Sequence, residues 1–136
     1  MDFFRTLSIA TSGLKAQAGR MRVISENIAN ADSLPTKAGG QPYRRKIPTF
    51  SSEMDRELGA EVVAIGRIKE DQSAFEQRYE PGHPAADTNG YVQAPNVNSL
   101  VETMDMREAQ RSYEANLNVI TATRRMLQRT IDILRA

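Results

Sequence analysis

The chain contains one histidine, His83, held in the run Tyr79-Glu80-Pro81-Gly82-His83-Pro84. Asp71, Glu80 and Asp87 are the carboxylates that could join it around a metal ion, but their spacing matches no recognised ligand pattern. Serines and threonines are plentiful, yet with no second histidine and no Ser-Lys arrangement none stands out as an activated nucleophile. The pair Gly39-Gly40 follows no predicted strand and opens no predicted helix, so it does not read as a phosphate cradle. Arg44-Arg45-Lys46 reads first as a solvated strand edge, ahead of nucleic-acid binding, with a docking contact to an acidic neighbour as a third reading. His83 itself reads as a structural or solvent-exposed turn residue. The expectation is no enzyme, no catalytic residue, no metal, no cofactor and no small-molecule substrate.

Composition agrees with that reading. Net charge is +1 over 136 residues, so no broad basic surface argues for nucleic acid. Only 6% of residues are aromatic and tryptophan is absent, a thin supply for an enzyme core. Cysteine is absent too, which excludes disulfides and thiolate metal sites. No run is long and apolar enough to span a bilayer. The N-terminus lacks the basic start, apolar segment and cleavage site of an ordinary signal peptide.

The strongest organising signal lies at the two ends of the chain. From Asn96 onward, Met106, Tyr113, Ile120, Leu127 and Leu134 recur every seven residues, with Leu117 and Ile131 four beyond Tyr113 and Leu127. Val119, Met126 and Ile133 form a second row at the same period. Ser99 and Glu102 read as a capping box at the start. Such a helix is roughly 50 Å long, against a radius of gyration of about 14 Å for a compact domain of this length. Its wide apolar arc therefore needs partners. At the other end, Phe3, Leu7, Ala10, Leu14, Gln17, Met21, Ile24 and Ile28 alternate steps of four and three, a coiled-coil seam. The obvious partner for each seam is the other. Asn27, Asn30 and Asp32 read as helix-ending residues.

The middle is different. Tyr43 to Phe50 and Glu61 to Ile68 read as strands, with shorter ones at Phe75–Tyr79 and Tyr91–Gln93. Ser51 to Leu58 reads as a helical turn, and Asn89-Gly90 as a tight turn. The fold class is α+β, mostly α: two long terminal helices paired as a coiled coil around a small, irregular β-rich middle. The segments are an N-terminal heptad helix over 1–31, a loop and β-rich stretch over 32–96, and a long C-terminal helix over 97–136.

These residues also carry a resemblance. Asn27-Ile28-Ala29-Asn30-Ala31 at the end of one helix and Tyr113-Glu114-Ala115-Asn116 within the other resemble the axial proteins of the bacterial flagellum. Gly39-Gly40 followed by Pro42-Tyr43-Arg44-Arg45-Lys46, then Tyr79 to Pro84 with Asp87, then Gly90-Tyr91-Val92 and Pro95-Asn96-Val97-Asn98, resemble the proximal-rod group of that family. The motif residues are Asn27, Asn30, Tyr43, Arg44, Arg45, Pro81, Gly82, His83, Pro84, Asn96, Asn98, Tyr113 and Asn116. Ala85 and Gln41 depart from the pattern.

The resemblance implies a structural subunit of the flagellar basal-body rod, a hollow drive shaft that transmits torque and leaves an export channel. It implies coiled-coil and subunit packing through Leu7, Leu14, Met21, Ile24, Ile28, Met106, Tyr113, Leu117, Ile120, Leu127, Ile131 and Leu134. Implied partners are copies of itself, other rod proteins, the basal membrane ring and the flagellar type III export machinery. The implied place is the periplasmic rod, reached without a cleavable signal. A coiled-coil adaptor or secretion chaperone outside the rod is the alternative, against which the PGHP and PNVN stretches speak.

Overall fold

The N-terminal seam forms helix α1, Phe3–Ala29, in the computed structural model, which describes residues 2–135. Asp2 caps it, its Oδ1 accepting the Arg5 N–H at 3.0 Å. The C-terminal run forms helix α2, Ser99–Arg135. Its 37 residues span about 55 Å. The expected capping box is not formed. Asn98 is the cap, its Oδ1 accepting the N–H groups of Leu100 and Val101 at 3.0 and 3.2 Å. Glu102 points inward and is buried, because it has a different task.

Between the helices lie three antiparallel two-stranded pairs. Strand β1 (Lys46–Ile47) pairs with β4 (Lys69–Glu70), β2 (Phe50–Asp55) with β3 (Ala60–Ile65), and β5 (Glu76–Tyr79) with β6 (Tyr91–Ala94). Ser51–Leu58 is therefore no helical turn but β2 and the turn that follows it. Asp55 Oδ1 accepts the N–H of Glu57 and of Leu58, and Gly59 takes a left-handed φ of 58°, which closes the hairpin. The architecture is α+β and mostly α, as the sequence implies.

The chain divides into two compact units. The first comprises the described residues of Met1–Met21, Thr49–Arg67 and Arg107–Ala136. Its buried side chains are small: Ala10, Ala16, Ala60, Ala109 and Thr123. Small residues let backbones approach closely. A Cβ on Gly13 would lie 2.9 Å from Asn116 Nδ2, and one on Gly19 2.8 Å from Ile65 Cδ1. The glycines that weaken α1 as an isolated helix thus admit α2 and the β2–β3 hairpin. Gly13 opposite Asn116 and Arg20 opposite Glu108, 3.9 Å apart, give α1 and α2 opposite directions in this unit.

The second unit comprises Arg22–Pro48 and Ile68–Met106. Val23, Ile24, Ala31, Val92, Ala94, Pro95 and Val97 are buried in it, with the polar Asn27 and Glu102 among them. Asn27 is fully helical rather than a helix-ending residue. Asn30 does close α1, its Nδ2 donating to the Glu26 carbonyl at 2.9 Å.

Candidate functional site: a buried polar clamp

Two residues on helix faces that ought to be apolar, Asn27 on α1 and Glu102 on α2, are 0% and 1% exposed. A buried amide or carboxylate costs several kcal/mol unless its hydrogen bonds are met. Here they are. Asn27 Nδ2 donates to the Lys46 carbonyl at 2.8 Å and to Glu102 Oε2 at 3.0 Å. Asn27 Oδ1 accepts the Lys46 N–H and the Tyr43 hydroxyl, each at 2.9 Å. Both amide donors and both lone pairs are used, the full capacity of the side chain.

Glu102 is completed by Arg45, whose Nε donates to Oε1 at 2.5 Å. The Arg45 guanidinium also lies 3.5 Å from Asp71 and 3.6 Å from Asp105. Burial acts against its charge, but the Glu102 hydrogen bond and the three carboxylates outweigh it and raise its pKa. The Arg45 N–H donates to Asn96 Oδ1 at 2.8 Å, and Asn96 Nδ2 donates to the Asp71 carbonyl at 3.0 Å. Asp71 is held below the usual carboxylate range by hydrogen bonds from Ser73 first and by Arg45 after that. Burial, with Glu26 and Glu102 nearby, pushes the Tyr43 phenol up to about 12.

The basic triplet is therefore not a solvated strand edge. Arg44 lies 4.2 Å above the Phe75 ring and donates to the carbonyls of Asp71 and Ser73. Lys46 pairs with Glu26. The acidic partners are its own chain's, brought from 20 to 60 positions away, which is why no local pattern announces them.

The structure brings Asn27, Tyr43, Arg44, Arg45 and Asn96 together in one cluster and sets Asn98 at the cap of α2. Pro81, Gly82, His83 and Pro84 form a separate turn, in which His83 Nδ1 accepts the Ala85 N–H at 3.1 Å. Tyr113 and Asn116 belong to the first unit. Glu26 and Asp105 are cluster members that sequence reasoning did not select, while Asp71 and Glu102 stand out there only as a possible metal carboxylate and a capping residue. Glu102 had one usable signal: it lies seven residues before Ala109 and fourteen before Asn116, on the inner stripe of α2.

Chemically, the cluster holds but does not react. Each of its carboxylates faces a cation, Glu102, Asp71 and Asp105 facing Arg45 and Glu26 facing Lys46. Among the described residues no group of three or more His, Asp or Glu side chains is placed to hold a metal ion. A cleft of about 280 Å³ between Pro35, Gly40, Gln77 and Tyr91 contains one carboxylate, Asp87, which accepts the N–H groups of Asn89 and Tyr91. What the clamp achieves is mechanical: it fastens the Tyr43–Lys46 arm and the 71–73 loop to the end of α1 and the start of α2.

Comparison with known proteins follows the same outline. A family model described as "Flagella basal body rod protein" matches residues 7–33, within α1 and the turn after it. A second, "Flagellar basal body rod FlgEFG protein C-terminal", matches residues 88–133. The chain is 54% identical over 128 residues to the flagellar basal-body rod protein FlgC of Agrobacterium fabrum, covering 94% of this chain and 92% of that one. It is 38% identical to the FlgC protein of Salmonella typhimurium over 133 residues, 98% of each chain. The Aquifex aeolicus FlgC protein is likewise 38% identical, over 97% of each.

Proposed function

This chain belongs to the FlgC family of flagellar basal-body rod proteins, and we propose that it forms part of the wall of a hollow, torque-transmitting rod. It is a structural rod subunit rather than an enzyme. The observation that carries the finer reading is the apolar surface of α2 that its own chain leaves open. Leu117, Val119, Met126, Ile131, Ile133 and Leu134 are all exposed, the last at 81%. A soluble monomer rarely leaves so many large apolar side chains of one helix open, and neighbouring subunits in a tube would cover them.

In this reading Leu7, Leu14, Met21, Ile24, Met106, Tyr113, Ile120 and Leu127 hold the two helices together, while Ile28, Leu117, Ile131 and Leu134 face other subunits. The clamp ties the Tyr43–Lys46 arm and the 71–73 loop to the end of α1 and the start of α2, so that load passes through these hydrogen bonds. Other rod proteins and the basal membrane ring are the neighbours, in the periplasm. The flagellar type III apparatus exports the chain before it folds. A deletion strain tests this: it should lack the rod and not swim, and the intact gene in trans should restore both. Normal rods in the deletion strain would refute it.

A further inference from the structure

Strand pairing puts Phe50, Ser52 and Met54 on the same face of the β2–β3 hairpin as Ile65, Val63 and Glu61. Ile65, at one end of that face, packs toward Gly19 of α1; the rest is open, with Phe50, Met54 and Val63 45, 61 and 43% exposed. The opposite face is turned inward, with Ala60 buried and Val62 half-buried. A hairpin that needed only to cover α1 would have polar residues outside. This one has an apolar outer face that carries Glu61, on a hairpin whose turn holds Glu57 and whose inward face holds Glu53 and Asp55, opposite Val62 and Ala60.

Helix α2 carries the complement. Val119, Met126 and Ile133 lie seven apart on one flank of the helix, all exposed. The same stretch, 117–135, carries Arg124, Arg125, Arg129 and Arg135 against a single Asp132. Ala115 and Ala122 lie beside the row at helical spacing and leave room for larger side chains. The row spans about 21 Å and the hairpin face about 13 Å, so one fits within the other.

We propose that the outer face of the β2–β3 hairpin docks on the Val119–Met126–Ile133 row of α2 in a second copy of this chain, an inference that rests on the rod reading. Apolar anchors meet apolar anchors, and Glu61 on the face with Glu57 in the turn meets the arginines of the helix. Both surfaces are open on one chain, and they are different surfaces. The contact is therefore head-to-tail, and each subunit that docks presents the next site. Repetition of such a contact gives a ring or a helical array rather than a closed dimer.

The absence of native cysteine makes the test clean. Met54→Cys and Met126→Cys are placed in separate copies, co-expressed, and treated in purified basal bodies with a short bis-maleimide cross-linker. The expected result is a covalent dimer when both variants are present and none with either alone. Both variants incorporated without a dimer would overturn the inference and leave the rod reading standing. Absence of even the unaltered chain from basal bodies would overturn both.

Charge exchange supplies an independent measurement. Glu57→Lys with Glu61→Lys should lower swimming about tenfold or more, as should Arg125→Glu with Arg129→Glu, and the four together should recover. Losses that simply compound would contradict the contact.

Discussion

Gly13 of α1 and Asn116 of α2 approach so closely that a methyl group on the glycine would lie 2.9 Å from the asparagine Nδ2. Asn116 Nδ2 already donates to the Ser112 carbonyl at 3.1 Å, and its side chain can turn aside. Gly13→Ala should therefore be tolerated, because displacing Asn116 is offset by a helix-propensity gain of up to about 1 kcal/mol. Gly13→Leu should stop rod assembly, since no rotation of Asn116 clears its volume. Swimming halos and rod counts measure both.

Asn27 allows a sharper test. Asn27→Ala removes four hydrogen bonds at once and leaves buried partners unmet, at a cost of about 1–3 kcal/mol for each group stranded. Asn27→Asp should be worse, because a second carboxylate would face Glu102 with its donor gone. Glu102→Gln keeps the shape but removes the charge that Arg45 meets. The expected order of rod yield is wild type, Glu102→Gln, Asn27→Ala, Asn27→Asp.

This cluster also marks how far the sequence can be read. The helices were legible because burial at every third or fourth position leaves a periodic trace. The same rhythm puts Gly13, Arg20 and Asn27 on one stripe of α1, and Glu102, Ala109 and Asn116 on one stripe of α2. Asn27, Tyr43, Arg44, Arg45 and Asn96 stood out as motif residues, but their common purpose did not. Their carboxylate partners are distant in sequence, and a carboxylate at a seam position looks like a capping residue until its cation is seen. Ser51–Leu58 was misread because strand β2 has a polar inner face and a partly apolar outer one, the reverse of the usual alternation. The polar Gln17 on the α1 seam remains without a partner at its buried Oε1 among the described residues.

Tyr43 gives a pH test. Its folded pKa, about 12, lies above the ordinary value near 10, so the folded chain keeps a proton that the unfolded chain releases. The stability this contributes is full below pH 10 and falls as pH rises toward 12. An absorbance titration of the isolated subunit should show the Tyr43 phenol ionising late. Tyr43→Phe should remove that late step and no other.

Order in the isolated subunit should be uneven. The exposed second half of α2 lacks partner surface, so its amides should exchange quickly in dilute protein. The N–H groups of Arg45 and Lys46, bonded to Asn96 and Asn27, should exchange more slowly. Hydrogen exchange by mass spectrometry on monomer and on purified basal bodies measures the difference, with protection spreading along α2 only in the latter.

The central claim is that this chain is a wall subunit of the rod whose open α2 face is closed by its neighbours. A cryo-EM map of basal bodies purified from cells carrying the chain tests it most directly. The map should show subunit density for α1 and α2, with Leu117, Val119, Met126 and Ile133 buried between adjacent subunits. A rod map with no density for this chain, or with those side chains facing open solvent, would contradict it.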